Sequence, residues 1–451
     1  MFPYNLYNMK KLFFILSIPL ILFSGCSSFL EVDPRASISD DNTIIDAQSA
    51  NTALNGVYSA LRSYYSINFQ SIAYLSGDNI QWTGSQSQIQ EFINHNVRAE
   101  NATISSTWVG IYETINRANN VIAKVADLDA GAIGDSERSR ILGEAYFIRG
   151  LTYFDLARVW GGVPLITSPT LNVDDNRGIP RSTQEQTYQQ AISDWDIAEG
   201  LLSETTNRYQ ATRKTVWALK ARYFLYRQDW QQALDYASRL IADVQNYELL
   251  APYTAFFVNN VVGTRESVFE IYYNANELNP HRNQWQPQER GGTRQWAPND
   301  TFVALVNNPE VGGSRSALVA LDNQGRWYGN LYYRSPATDP TYVIRIAELY
   351  LIRAEAKANL GDSNGALTDL NEVRNRAGLA DSQAEGQDAI LLAIENERRL
   401  EFGLEAHRWF DLVRTGRAKA VLGITDDNRL LLPLPAEQLL LDDALEQNPG
   451  Y

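Results

Sequence analysis

The chain has 451 residues, a formal net charge of −14 at pH 7 and one cysteine. A surface with this excess of negative charge repels phosphate, which argues against nucleic acid as a partner. Internal disulfides are excluded, so the fold depends on a hydrophobic core, for which a content of 44% hydrophobic residues is sufficient.

The N-terminus has the pattern of a secretion signal that covers residues 1–25. Lys10 and Lys11 precede an apolar run that is shorter than the ~20 residues of a membrane-spanning helix. Small residues and then Cys26 follow this run, as in the signals of bacterial lipoproteins. We therefore predict lipidation at Cys26, where acyl chains would hold the mature protein to a membrane at ~0.8 kcal/mol per buried CH2.

The next predicted elements are helices that come in pairs. Residues 218–226 and 233–241 form one pair, and residues 351–358 and 366–373 form another, each joined by a short acidic turn. Two looser pairs with long insertions precede them: Ala50–Leu61 with Trp108–Val125, and Ile141–Val159 with Gln184–Leu202. Alanines where two helices cross, with an acidic turn between them, are the layout of tetratricopeptide repeats. Such pairs stack to bury a shared core, so we expect the inserted loops at the surface.

The segment Trp160-Gly161-Gly162-Val163-Pro164 predicts the end of a helix. A glycine there adopts the left-handed conformation of a C-cap, and the proline prevents the helix from continuing. We assign this motif a structural role.

Residues 250–341 differ from the helical parts of the chain. They are rich in Asn, Gly, Pro, Trp and Tyr, and only the region Ser267–Tyr273 has the pattern of a strand. A long irregular segment inside a compact protein is typical of a binding surface. We therefore place the ligand site partly in this segment.

The region Glu395–Asp411 contains the carboxylates and the histidine that acid–base catalysis uses. Glu397, Glu401 and Arg408 are predicted to share one helical face, where i,i+4 spacing brings charges together. The favoured interpretation is structural: a half-buried ion network that fixes one helix against its neighbours. Metal and cofactor are not predicted, because the three histidines match no metal-binding spacing: His95, His281 and His407.

Tryptophans in the irregular segments are the positive sign of a ligand site. Sugar rings stack their C–H faces on indole, while polar side chains bind the hydroxyl groups. This combination predicts a glycan site that contains Trp82, Trp285, Trp296, Asp78, Gln81 and Arg294. Each of these indoles is equally consistent with a core position, and Trp327 with Tyr328 form a weaker third group. Core packing is the default for the tryptophans in helical patterns: Trp108, Trp195, Trp217, Trp230 and Trp409.

Motifs along nearly the whole chain resemble those of the SusD/RagB family, the surface nutrient-binding lipoproteins of Bacteroidetes. In order they are Phe29–Pro34 after the lipoprotein signal, Gly143–Pro164, Arg345–Leu351, Glu397–Gly416, Leu432–Pro435 and Gln447–Tyr451. Each motif alone is weak, whereas all of them in this order are highly specific.

This resemblance implies an all-α fold in which about four tetratricopeptide-like helix pairs form a right-handed superhelical scaffold, with a loop-rich ligand face and little β structure. Residues 26–451 would be a single domain, with the scaffold at about 46–250 and 342–420 and a ligand-face insertion at about 250–341. The resemblance also implies a lipid anchor at the surface of the outer membrane. The protein would capture an oligosaccharide or polysaccharide without cleaving it and deliver it to a TonB-dependent, SusC-like barrel. Family ligand residues hold no fixed motif positions, so the six residues named above depend on the stacking argument alone.

Three alternatives remain open at the level of sequence. The main ligand could be the transporter itself, the nutrient could be a peptide, or a carboxylate pair that meets only in space could hydrolyse a glycoside. The identity of the glycan is also open. The excess of acidic side chains disfavours strongly anionic glycans, whereas the cluster of Arg282, Arg290 and Arg294 favours them. A laminarin-type β-glucan is one candidate.

Overall fold

Helices dominate the part of the chain that the structure, a computed structural model, describes: residues 43–172 and 174–451. In chain order they are α1 Ala47–Tyr64, α2 Ile67–Leu75, α3 Ser87–Ile93, α4 Ala102–Asp127, α5 Asp135–Val159, α6 Gln184–Leu201, α7 Arg213–Tyr226, α8 Trp230–Ile241, α9 His281–Trp285, α10 Asp300–Asn307, α11 Ile346–Asn359, α12 Ser363–Arg376, α13 Gln387–Glu401, α14 Arg408–Arg414, α15 Ala418–Leu422 and α16 Ala436–Leu441. The predicted all-α class with little β structure is confirmed. The predicted signal of residues 1–25 and Cys26 lie outside the described residues.

The four predicted helix pairs are present, and each packs within itself: α1 with α4, α5 with α6, α7 with α8, and α11 with α12. Neighbouring pairs also pack on each other, α4 against α5 and α8 against α11. Because α11 contacts α8 directly, the residues between them leave the helix stack and return to it. The irregular segment is therefore an excursion from a continuous scaffold.

Acidic residues in the predicted turns begin the second helix of two pairs. The Asp229 carboxylate accepts a hydrogen bond from the Gln232 amide at 3.2 Å, and the Asp362 carboxylate accepts one from the Gly365 amide at 2.9 Å. Each bond satisfies a donor that the first turn leaves unpaired, which stabilises a helix by about 1 kcal/mol. The acidic turns that the sequence pattern contains are thus N-caps.

The predicted C-terminal cap of α5 is confirmed. The helix ends at Val159, Gly161 has φ of +79°, and the Trp160 indole donates to the Pro433 carbonyl at 2.9 Å. A side chain on Gly162 would meet the Ser182 carbonyl oxygen at 1.9 Å, so the second glycine allows a close approach of two backbones.

Six short strands form three antiparallel two-stranded sheets within the described residues: β1 Ile80–Trp82 with β3 Trp296–Pro298, β2 Ser267–Ile271 with β6 Thr341–Arg345, and β4 Val319–Leu321 with β5 Trp327–Gly329. The expectation of one strand between residues 250 and 341 is wrong, since β3, β4 and β5 lie there as well. These strands have three residues each, which is too short for the alternation that marks a strand in a sequence.

A buried ion network joins this irregular segment to the helical scaffold. Its members are three cations and four carboxylates, all nearly or fully inaccessible: Arg315, Arg345, Arg376, Glu266, Glu397, Glu401 and Glu405. Arg345 alone contacts Glu266 at 2.6 Å, Glu401 at 2.9 Å and Glu405 at 2.6 Å. Burial raises the pKa of Glu401, but the charges of Arg376, Arg315 and Arg345 outweigh it and lower the pKa to about 2. We call these seven residues the central ion network.

The predicted ion network is confirmed for Glu397 and Glu401, which contact Arg315 at 2.5 and 2.9 Å. The prediction that Arg408 shares their helical face is wrong. Helix α13 ends at Glu401, and Arg408 begins the separate helix α14 after an intervening turn. The seven-residue spacing between Glu401 and Arg408 therefore crosses a helix boundary.

Substitution of Arg345 by Met should lower the free energy of unfolding by about 3–5 kcal/mol, because three buried carboxylates lose their shared cation. Urea unfolding of the purified protein measures this change. The matched control is Arg177→Ala, which breaks an ion pair with Asp174 in which both side chains are more than half exposed. Its expected cost is at most about 1 kcal/mol. Equal losses in the two variants would contradict a stabilising role of the network.

Candidate functional site

Strand pairing brings the two predicted glycan-binding segments together. In the β1–β3 sheet, Trp82 lies opposite Trp296, and Gln81 lies opposite Ala297. The Thr83 amide extends this pairing with a hydrogen bond of 2.9 Å to the Gln295 carbonyl. Residues that are more than 200 positions apart in the sequence thus form one local structure.

Trp285 and Trp296 are fully buried, so the expectation that they present exposed ring faces is wrong. Their ring centroids are 5.5 Å apart, and the Tyr74 ring packs edge-on against both, at 5.3 and 5.1 Å. His281 and Tyr332 complete this aromatic cluster, with centroids 4.7 Å apart. A segment that leaves the helix stack has to bury its own apolar side chains, and these rings supply that local core.

The buried part of this region contains a concentration of polar atoms without a hydrogen-bond partner among the described residues. They include the indole nitrogens of Trp82, Trp285 and Trp296 and the Nε2 atom of His281. Burial lowers the pKa of His281 to about 3, so its imidazole is neutral at pH 7. Unpaired buried donors are costly, and they find acceptors in ordered water or in a ligand.

Asp78, at the start of β1, is held by two arginines. Its carboxylate contacts Arg408 at 2.6 Å and Arg399 at 3.0 Å, and Arg408 in turn contacts Glu395 at 3.3 Å. Asp78, one of the six residues predicted to bind a glycan, therefore ties β1 to helices α13 and α14. Its geometry is that of a positioning residue for the strand that ends at Trp82.

Trp82 is the one predicted indole that is partly exposed. Gly84 lies directly against its six-membered ring, where an added Cβ would come within 2.3 Å of a ring carbon. The Gln81 amide donates to the Pro298 carbonyl at 3.1 Å, which fixes the neighbouring side chain across the sheet. The indole is thus supported from one side while part of it still faces solvent.

Arg294 has a left-handed backbone conformation, with φ of +48°, and its carbonyl accepts a hydrogen bond from the hydroxyl of Thr83, the residue after Trp82. Its side chain donates from Nε to the Trp327 carbonyl at 2.8 Å, and β5, which begins at Trp327, packs against β3. Trp327, which belongs to the weaker third group of the sequence pattern, is also partly exposed, whereas Trp285 and Trp296 are buried. We call Trp82, Arg294 and Trp327 the Trp82 surface. The Gln81 side chain projects from the opposite face of β1, because side chains alternate along a strand.

The described residues show no sign of a metal centre or of a membrane span. They contain no group of three or more His, Cys, Asp or Glu side chains that could hold a metal ion. No helix within residues 43–172 and 174–451 is both long and apolar enough to cross a bilayer.

Replacement of Trp285 by Ala should lower the free energy of unfolding by about 3–5 kcal/mol, because it empties the centre of the aromatic cluster. Trp82→Ala removes a partly exposed ring of the same size and should cost no more than about 2 kcal/mol. Thermal or urea unfolding of both variants compares the two positions. A loss at Trp82 that equals the loss at Trp285 would show that both rings belong to one core.

Two family profiles match this chain. One, described as the SusD family, matches residues 326–429, and the other, described as starch-binding associating with outer membrane, matches residues 28–225. A SusD-like protein of Formosa agariphila is 28% identical over 97% of this chain and 98% of its own length. A SusD-like protein of Bacteroides ovatus is 24% identical over 90% of this chain and 82% of its own length.

Solved structures agree with these sequence matches. A laminarin binding SusD-like protein is 25% identical and superposes with a TM-score of 0.81, covering 90% of this chain and all of that one. A SusD superfamily protein of Bacteroides vulgatus has a TM-score of 0.79 at 20% identity over 90% of this chain and 99% of its own, a likeness of fold alone.

Proposed function

Because this chain belongs to the SusD/RagB family, we propose that it is a non-catalytic lipoprotein of the cell surface that captures a neutral oligosaccharide and delivers it to a TonB-dependent, SusC-like barrel. The family description supports binding of starch-like glycans at the outer membrane. The observation that carries the proposed binding is the Trp82 surface, where Trp82 and Trp327 are both partly exposed on strands that are joined through β3.

Each part of the Trp82 surface supplies one element of sugar recognition. The Trp82 and Trp327 rings offer faces for the C–H patches of a pyranose, and Arg294 offers a polar group for its hydroxyls. Asp78, Trp285 and Trp296 act from behind this surface, by fixing β1 and β3.

The charge balance favours a neutral glycan over a polyanionic one. The chain carries 53 acidic and 39 basic side chains. Two of the arginines that could recruit an anion are already engaged, since Arg290 lies over the Tyr328 ring at 5.6 Å and Arg294 donates to Trp327. Laminarin, a neutral β-glucan, is the first ligand to test, because a SusD-like protein of the same fold binds it.

Affinity gel electrophoresis in laminarin, starch, xylan and mannan tests the proposed binding. At least one of these neutral glycans should retard the protein, and Trp82→Ala should weaken that retardation about five-fold through the loss of ring stacking. The control is Trp217→Ala on helix α7. This substitution removes a partly exposed indole that donates to Glu199 at 2.7 Å. No retardation by any of the four glycans, or release of new reducing ends from one of them, would contradict a non-catalytic glycan binder.

Lipidation at Cys26 provides a separate prediction. The wild-type protein should enter the detergent phase of a Triton X-114 partition, and Cys26→Ala should move it to the aqueous phase, because the acyl chains supply the membrane affinity. Protease treatment of intact cells should digest the wild-type protein, and mild detergent extracts should contain it together with a SusC-like barrel. A protease-protected protein or an extract without the barrel would contradict the proposed delivery.

A further inference from the structure

A cavity of about 510 Å³ lies within the helical scaffold and involves none of the residues of the Trp82 surface. Its lining comes from helices α7, α8, α11, α13 and α14 and from the residues that directly follow α7 and α14. This volume is within the range of ~300–1,000 Å³ that is typical of small-molecule sites.

The wall of this cavity includes Arg398, which has one nitrogen without a hydrogen-bond partner among the described residues. Arg398 is 2% exposed, and its Nε donates to the Asp411 carboxylate at 2.8 Å. Its Nη1 atom is buried and has no hydrogen-bond partner among the described residues. Because this nitrogen has almost no accessible surface, it lies behind the cavity wall, and the Arg398–Asp411 pair shapes the wall from within.

The charges that line the cavity nearly balance. Three guanidinium groups face four carboxylates: Arg398, Arg414, Arg417, Glu355, Asp388, Glu395 and Asp411. Most of them are paired, Arg414 with Glu355 at 2.6 Å and Arg417 with Glu395 at 3.0 Å. Because the arginines of the lining are paired with its carboxylates, the wall offers no strong net charge to an ionic ligand. Hydroxyl groups suit such a wall, because they both donate and accept hydrogen bonds.

The remaining lining is apolar and includes an indole at the rim. Trp230 begins helix α8 and is partly exposed, contrary to the expectation that it packs in the core. Leu225, Leu391 and Leu392 line the same cavity, and Leu392 is 44% exposed. An accessible aromatic ring beside paired carboxylates, guanidinium groups and an amide is the composition that sugar recognition requires.

We propose that this cavity is a second, separate binding site for a neutral sugar, with the Trp230 ring stacked on the sugar and the polar side chains of the cavity wall exchanging hydrogen bonds with its hydroxyl groups. The site stands apart from the proposed Trp82 surface, since no residue of that surface lines the cavity. It would let one protein hold two stretches of a glycan, which raises the affinity for a long chain without any new contact.

Titration with neutral hexasaccharides, observed through the indole N–H signals of 15N-labelled mature protein, tests this site. The probes are hexasaccharides of β-1,3-glucan, α-1,4-glucan, β-1,4-xylan and β-1,4-mannan. At least one of them should shift the Trp230 signal, which Trp230→Ala identifies by its loss. The shift should persist in Trp82→Ala, because the two sites are independent.

Two further variants locate the binding. Leu392→Glu places a fifth carboxylate at the rim, at an exposed position where folding tolerates it, and should weaken the Trp230 response about five-fold or more. Trp217→Ala, on helix α7 but outside the cavity, should leave the response unchanged.

The outcomes separate this site from the proposed function. If a hexasaccharide shifts Trp82 and none shifts Trp230, the second site is overturned and the Trp82 surface stands. A shift of Trp230 alone would support the cavity and contradict the Trp82 surface. Absence of any shift at Trp230 with all four probes overturns the second site in every case.

Discussion

The rest of this structure depends on one constraint: seven charged side chains are buried where the helices meet the irregular segment. A buried guanidinium is stable only if carboxylates surround it at hydrogen-bond distance, so the elements that supply those carboxylates have fixed positions. Arg345 ends strand β6, Glu401 ends helix α13 and Glu266 precedes strand β2. The central ion network therefore holds the return of the chain from its excursion against the scaffold.

A second line of charges, a chain of ion pairs, extends from the interior toward the surface. Asp78 contacts Arg408, Arg408 contacts Glu395, and Glu395 contacts Arg417. One end of this line sets the start of β1, and the other end lies at the cavity that contains Trp230. Both proposed sugar sites thus depend on helices α13 and α14 for their geometry, although they share no lining residue. Both proposed sites lie on one helical scaffold, and the side chains of each site decide what it can bind.

Much of the scaffold could be predicted from sequence because its signals are local. Helical spacing of apolar residues, acidic residues at Asp229 and Asp362 and the glycine at Gly161 each specify a neighbour a few positions away. The burial of Trp296 has no such signal, since it follows from pairing between strands that are far apart in the sequence. The exposure of Trp230 was missed for a related reason: helical spacing places a residue on a face but does not say which faces a neighbouring helix will cover.

The pairing of β1 with β3 also orders events during folding. Helices α1 and α4 to α7 pack on one another, so they can associate as the polypeptide emerges. Residues 80–82 have to wait for residues 296–298, and closing so long a loop is slow. Tyr74 packs against Trp285 and Trp296, so its ring lacks these partners until the last third of the chain has been synthesised. A truncation that removes this third would therefore leave apolar rings of the first two thirds uncovered, where they favour aggregation.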